Sequence, residues 1–239
     1  MQIWSYGYTD KGPVREKNED SFLVDDQQFI YAVADGIGGL PYGKLASHLS
    51  TNFLQIYTKG AGVGGVWPDL SRVMPLINQA VSKTGELVSP LEGIGSTLTI
   101  VSIRGNSVFV GHVGDSAAFL FKHSGEFYKL TKDQTMEQEI LDNAEPGEVI
   151  DIPEEYHHTL TSCMGIPDMC NPFFNVEELE PGDKLLICSD GVTNVLTKED
   201  MHAILYPADD VETCTKQIVE LSIEKGTQDN ATAVCIMVQ

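Results

Sequence analysis

A short apolar run that ends abruptly in an Asp-Gly pair occurs twice in this chain. Residues 29–34 are too few for a typical helix, and their apolar character predicts a buried strand that ends at Asp35. Gly36 then allows a sharp turn, because glycine has no Cβ atom. A close copy at residues 185–192 brings Asp190 to the same place after a second apolar run. The chain is therefore expected to form a sheet with carboxylates at one rim.

Two further aspartates stand at the ends of apolar runs. Asp229 precedes the run at residues 231–238, and Asp115 lies between the runs at 107–113 and 117–121. A single Asp-Gly pair after a strand is more often a hairpin turn than a metal ligand. Repetition at several strand ends favours a divalent cation, which prefers oxygen ligands, while the turn stays open as the alternative.

The charge of the chain excludes several classes of partner. Hydrophobic residues make up 42% of the 239 positions, which predicts a folded protein with a sizeable core. The net charge of -20 argues against binding nucleic acid and against docking on an anionic membrane. An acidic protein that acts on a phosphorylated substrate needs metal ions or a well-placed arginine to overcome repulsion.

Cysteine usage and hydropathy predict a cytoplasmic protein. The five cysteines include no Cys-x-x-Cys pair, which is typical of a reducing compartment. The first residues do not resemble a signal peptide, and no apolar stretch is long enough to span a bilayer.

The predicted elements are short strands interrupted by pairs of helices. Helices are expected at about 45–57 and 70–88, and again from Thr197 to about Leu205 and from residue 209 or 210 onward. Residues 60–65 read as a flexible link, and Pro75 is expected in the first turn of its helix. Paired helices favour an α+β layered fold over a doubly wound parallel sheet.

Three polar groups have competing interpretations. The charged segment 15–20 is either a solvated loop or an arginine for phosphate beside acids that support a metal. His112 could be a metal ligand, but it lies in an apolar strand and is expected to be a hydrogen-bonded core histidine. His157 and His158 resemble a metal pair, but adjacent side chains point in different directions, which favours surface residues.

Seven motifs occur in the order found in one enzyme family. On them the chain resembles the metal-dependent Ser/Thr protein phosphatases of type 2C, in their compact bacterial form. Each motif is weak alone, and together they run nearly from end to end. They are Gly-Pro-Val-Arg-Glu-Lys-Asn-Glu-Asp (12–20), Val-Ala-Asp-Gly-Ile-Gly-Gly (33–39), Gly-Ser-Thr (95–97), Gly-His-Val-Gly-Asp-Ser (111–116), Leu-Thr-Lys-Asp (130–133), Ser-Asp-Gly (189–191) and Asp-Asn-Ala-Thr (229–232).

The resemblance implies a fold, a metal content and residue roles. The fold would be a four-layer α-β-β-α sandwich of two mostly antiparallel sheets flanked by helix pairs. It would form a single catalytic domain over residues 1–239, with a flap at about 135–165. Two Mn²⁺ or Mg²⁺ ions are expected, with a third, weaker ion. By position, Asp35 would bridge both metals, and Gly36 would offer its carbonyl to one of them. Asp190 and Asp229 would bind the second metal, and Asp115 with Asp190 would hold the third. Glu19 would act through water with Asp20 supporting it, and Arg15 would bind phosphate.

The implied activity is hydrolysis of phosphoserine and phosphothreonine on proteins. A metal-bridging hydroxide would attack phosphorus directly, and the enzyme, a monomer, would oppose a bacterial Ser/Thr kinase. The alternative is a catalytically silent type 2C-like domain that binds a phosphoprotein. A two-metal nuclease is disfavoured by the net charge of -20. Ile37 and Ala117 depart from residues that many members carry, namely histidine and arginine.

Overall fold

Two five-stranded antiparallel sheets form the centre of the protein. The computed structural model describes residues 2–60, 67–145, 148 and 150–239. The first sheet has the order β1 (Ile3–Asp10), β10 (Ala231–Val238), β9 (Lys184–Cys188), β6 (Ala117–Phe121) and β7 (Phe127–Lys129). The second has the order β2 (Ser21–Asp25), β3 (Ile30–Ala34), β4 (Leu98–Arg104), β5 (Ser107–Val113) and β8 (Phe173–Glu178).

Helices cover the outer face of each sheet. Helices α1 (Gly43–Thr58) and α2 (Leu70–Val88) pack on the second sheet, and α4 (Asp190–Thr193), α5 (Lys198–Leu205) and α6 (Val211–Glu224) pack on the first. Helix α3 (Met136–Asn143) and two 3-10 turns, Glu154–His157 and Pro167–Met169, complete the elements described. The predicted α-β-β-α sandwich is confirmed. None of the helices in the described ranges combines the length and the apolar character needed to cross a bilayer.

The continuous apolar runs in the sequence are explained by strands that are buried on both faces. In β10, Cys235 and Met237 face the helices, whereas Val234 and Ile236 face the opposite sheet. All residues of β3 are buried in the same way. Because neither face meets water, such strands show no alternation of apolar and polar residues.

Two local predictions differ from the structure. Helix α2 begins at Leu70 with Asp69 as its cap, so Pro75 lies inside the helix and the prediction of its first turn is wrong. Strand β8 was not predicted, because it is an edge strand whose Phe174 and Val176 are 43% and 54% exposed. Apart from Gly60, the predicted link at residues 60–65 lies outside the described residues.

The two ends of β9 carry aspartates with different surroundings. Asp183, before the strand, is fully buried, and its carboxylate accepts bonds from Lys122 Nζ and from the backbone N–H groups of His123 and Glu180, each at 2.9 Å. It is therefore a fully paired structural carboxylate. Asp190, after the strand, lies at the opposite rim, where β3 ends and β10 begins.

Candidate metal centre

The rim at which β3 and β9 end opens into a cleft of about 770 Å³. Every predicted site residue except Asp20 lines this cleft, namely Arg15, Glu19, Asp35, Gly36, Asp115, Asp190 and Asp229. The topology explains the gathering, because antiparallel partners such as β9 and β10 bring the end of one strand beside the start of the other. Side chains distant in sequence therefore meet at one site.

The backbone at Asp35 and Gly36 is fixed by hydrogen bonds and by steric limits. The N–H of Asp35 donates to Thr97 Oγ1 at 2.9 Å, and the N–H of Thr97 donates back to the Asp35 carbonyl at 2.8 Å. A Cβ atom at Gly36 would collide with the backbone carbonyl of Gly43. Position 36 therefore requires glycine for a close approach of two backbone segments.

Asp20 joins the two sheets behind the cleft. It directly precedes β2 of the second sheet and is 4% exposed. Its Oδ2 accepts bonds from Ser189 Oγ at 2.8 Å and Thr232 Oγ1 at 2.6 Å, both on the first sheet's side. Its Oδ1 is buried with no hydrogen-bond partner among the described residues. Asp20 thus fixes the relative position of the two sheets.

Asn230 fastens the loop that carries Arg15 and Glu19. Its Oδ1 accepts a bond from the backbone N–H of Glu19 at 2.8 Å, and its Nδ2 donates to the carbonyls of Lys11 and Lys17 at 2.8 and 2.9 Å. The segment predicted either as a solvated loop or as a functional one is therefore anchored at the cleft. Sequence reasoning did not single out Asn230, although it follows Asp229 in a quoted motif.

The arginine and two of the carboxylates lie at the cleft surface. Arg15 Nη2 donates to Asp229 Oδ2 at 2.5 Å, and the Arg15 side chain is 47% exposed. Asn194 Nδ2 donates to Asp190 Oδ2 at 3.2 Å. The other oxygen of Asp190, Oδ1, is buried without a partner in the described part of the chain. A buried carboxylate oxygen without a donor is a position where a cation fits.

Burial of the acids, and then their mutual repulsion, indicates that the cluster suits a divalent cation. Burial and then the neighbouring carboxylates raise the pKa of Asp35 well above its usual value, and the pKa values of Asp115 and Asp190 shift in the same direction. Burial raises the pKa of Asp20 to about 7. Carboxylates forced together in this way fit hard cations, which accept several oxygen ligands and neutralise their charge.

Gly191 is expected to be essential for the position of Asp190. A Cβ atom there would collide with the backbone carbonyl oxygen of Asn230. Gly191→Ala should therefore push α4 outward, weaken Mn²⁺ binding about 10-fold or more, and destabilise the fold by about 1–3 kcal/mol. Calorimetric titration with Mn²⁺ and thermal unfolding would measure both effects.

Gly39→Ala is the matched control, because a Cβ atom at Gly39 has nothing within 4 Å although the residue also lines the cleft. Equal metal affinity and equal melting temperature in the two variants would contradict the steric role of Gly191.

His112 lies in the core and His158 at the surface, as predicted, but His158 also lies near two carboxylates of the site. His112 is buried, and its ring bonds Thr99 Oγ1 and the Gly114 carbonyl at 2.9 Å each, which confirms a core histidine. Burial lowers its pKa to about 4. His158 is a surface residue, as expected, but a ring nitrogen lies within 4.8 Å of carboxylate oxygens of Asp115 and Asp190. No sequence signal indicated this proximity, because it depends on how the segment around residue 158 folds back.

Comparisons with known proteins agree with this site. Residues 14–225 match the family model described as protein phosphatase 2C. The chain is 31% identical over 231 residues to the serine/threonine protein phosphatase PstP of Mycobacterium tuberculosis, covering 95% of this chain but only 43% of that protein. It is 27% identical to the protein phosphatase PhpP of Streptococcus pneumoniae, covering 95% of this chain and 94% of that one.

A solved structure shows the same fold with metal bound. The catalytic domain of serine threonine protein phosphatase PstP in complex with two manganese ions superposes with a TM-score of 0.85 at 30% identity, covering 99% of this chain and 98% of that one. The match of the family model over most of the chain, together with the arrangement of strand-end aspartates, leads to one conclusion: this chain belongs to the protein phosphatase 2C family.

Proposed function

We propose that this protein hydrolyses phosphoserine and phosphothreonine on proteins, with two Mn²⁺ or Mg²⁺ ions. The observation that supports it is the convergence of Asp35, Asp190 and Asp229 on one cleft with Arg15 at its edge. Relatives of similar length are protein phosphatases, and the PstP catalytic domain binds two manganese ions.

The residues of the cleft form two groups, one that binds the metal ions and one that binds the phosphate. Asp35, the Gly36 carbonyl, Asp190 and Asp229 hold the two cations, and Glu19 acts through water. When bound, the cations supply a water activated for direct attack on phosphorus. Arg15 orients the phosphoryl oxygens with its forked guanidinium group, which presents several N–H donors. Asp20 keeps the two sheets, and hence the ligands, in register.

The substrate, partner and location follow from the same proposal. The substrates are phosphoproteins made by a bacterial Ser/Thr kinase, and the enzyme acts as a cytoplasmic monomer. The relatives are bacterial, and the five cysteines of the chain are free thiols, as in a reducing compartment. Residues 1–239 act as one catalytic domain, and the described part of residues 135–165 forms the flap at its cleft.

Phosphate release from a phosphothreonine peptide, with and without Mn²⁺, tests the activity. Asp190→Asn is expected to lower kcat about 10³-fold, because a lost metal ligand removes about 4 kcal/mol of transition-state stabilisation. A phosphotyrosine peptide of the same sequence should be a poor substrate.

Asp183→Asn is the control, since Asp183 is a buried aspartate at the far end of β9 and should lower stability while leaving Mn²⁺-dependent turnover. A folded wild-type protein without turnover at any Mn²⁺ concentration would instead indicate the silent phosphoprotein-binding domain.

A further inference from the structure

We propose that His158 is a metal ligand contributed by the flap, which joins Asp115 and Asp190 around a cation at the outer edge of the centre. Coordination by His158 then fastens the flap over the cleft. This inference rests on the proposed metal centre and adds a residue that the sequence motifs do not contain. It also makes flap position a consequence of metal occupancy.

The geometry of the three side chains supports coordination without movement of the backbone. One ligand atom from each of Asp115, His158 and Asp190 lies within 4.8 Å of the others. Ligand atoms placed about 2.0–2.6 Å from one ion lie at most about 4–5 Å apart. Moreover, Asp190 Oδ1 is buried and has no hydrogen-bond partner among the described residues. The three side chains would offer a divalent cation carboxylate oxygens and one imidazole nitrogen.

The attachment of the flap places His158 at this position. The backbone N–H of Gly114, next to Asp115, donates to Gln134 Oε1 at 2.9 Å, and Gln134 N–H donates back to the Gly114 carbonyl at 2.9 Å. The N–H of Thr161 donates to the Gln134 carbonyl at 2.8 Å, which anchors the later part of the flap beside its beginning. His158 is therefore three residues from a fixed point beside the Asp115 turn.

The two adjacent histidines have different surroundings. The ring of His157 is 2.8 Å from Glu137 Oε1, so it packs against helix α3 within the flap. His158 follows the 3-10 turn Glu154–His157 and lines the cleft together with Thr159 and Leu160. One histidine thus stabilises the flap internally, whereas the other faces the metal centre. This difference provides a matched pair of variants.

An imidazole ligand also predicts which metal binds. Mg²⁺ takes oxygen ligands and gives up its water reluctantly, whereas first-row transition ions, of which Mn²⁺ is the weakest binder, also accept an imidazole nitrogen. The position at His158 is therefore expected to take Mn²⁺ in preference to Mg²⁺. Saturation with Mn²⁺ should give three bound ions, and saturation with Mg²⁺ should leave this outer position largely empty.

Equilibrium dialysis with elemental analysis tests the ligand directly. His158→Ala should weaken the weakest Mn²⁺ site about 10-fold or more and leave the two tighter sites unchanged. His157→Ala should retain all three. Unchanged Mn²⁺ binding in His158→Ala, or the same loss in both variants, would overturn the proposal. Loss of the tight sites as well, or a wild-type protein that binds no Mn²⁺, would instead count against the metal centre itself and so against both proposals.

Limited proteolysis tests the link to the flap without measuring activity. The flap contains several glutamates, including the exposed Glu154 and Glu155, so a glutamate-specific protease followed by mass spectrometry reports on its opening. Mn²⁺ should slow cleavage at these residues in the wild-type protein and in His157→Ala, but not in His158→Ala. Equal protection in all three proteins would show that His158 does not fasten the flap.

Discussion

Replacing Asp35 with asparagine is expected to abolish Mn²⁺-dependent turnover and, at the same time, to make the metal-free protein more stable. Burial, and then the neighbouring carboxyl groups of Asp20, Asp190, Asp115 and Asp229, raise the pKa of Asp35 well above the usual value. At neutral pH the unfolded chain carries this group ionised. Folding must therefore either protonate it or bring its charge beside the others, and asparagine removes that penalty.

The two effects have different magnitudes and are measured separately. Loss of the proposed metal ligand Asp35 should lower kcat at least about 10³-fold, or about 4 kcal/mol. Relief of an uncompensated buried charge is worth about 1–3 kcal/mol. For a domain of this size that corresponds to about 2–12 °C in the melting temperature of the metal-free protein.

Asp183→Asn provides the contrast that makes this result specific. Its carboxylate is paired with Lys122 and with two backbone N–H groups, so the substitution should lower the melting temperature. Opposite signs for two aspartate-to-asparagine changes would separate a functional carboxylate from a structural one. A lower melting temperature in metal-free Asp35→Asn would refute the repulsion on which this prediction rests.

Metal-free protein is expected to lose stability as the pH rises from about 4 to about 7, and Mn²⁺ to restore it. The folded-state pKa of Asp20 is raised to about 7, whereas the unfolded chain titrates near 3.8. Between these values the folded protein keeps a proton that the unfolded chain has released, so the free energy of unfolding falls with rising pH. The raised pKa values of Asp35, Asp115 and Asp190 act in the same direction.

His112 opposes this loss of stability with rising pH, and metal binding should reverse the loss. Burial lowers the pKa of His112 to about 4, so this residue favours folding as the pH rises from about 4 to 6.5. A single histidine is outweighed by four carboxylates. Because cations and protons compete for the same oxygens, Mn²⁺ should stabilise the protein more at pH 7.5 than at pH 5.

Thermal unfolding at the two pH values, with Mn²⁺ or with a chelator, gives the measurement. A concentration of about 1,000 times Kd adds about 4 kcal/mol, or about 8–16 °C at pH 7.5. Equal Mn²⁺ shifts at pH 5 and pH 7.5 would show that the acids do not titrate where the structure places their pKa values.

Local patterns in the sequence predict the parts of this structure that depend on neighbouring residues. The apolar run before Asp35 is a strand because both of its faces are buried, and helix α2 spans the residues expected from its periodicity. Asp35, Asp190 and Asp229 meet at one rim because antiparallel pairing brings the end of one strand beside the start of its neighbour.

The features that sequence reasoning missed depend on contacts between distant segments. Strand β8 has no buried face of its own and forms only because β5 offers an edge for it. The approach of His158 to Asp115 results from the return of the flap to Gln134, which no local periodicity encodes. Asp20 was predicted as a site residue, but its hydrogen bonds between the sheets were not, because its two hydroxyl partners are 169 and 212 residues away.

The pairing of β1 with β10 sets an order of events during synthesis. Strand β1 is made before the other described strands, yet its partner in the sheet is residues 231–238, which also separate it from β9. The first sheet cannot close until that strand emerges, whereas every strand of the second sheet is available once residue 178 has been made. The second sheet with α1 and α2 can therefore form while translation continues. Until β10 has been made, β1 stays unpaired and its aromatic side chains stay exposed. Such long-range pairing is intrinsically slow, and the interval before β10 arrives is when the nascent chain most needs protection from aggregation.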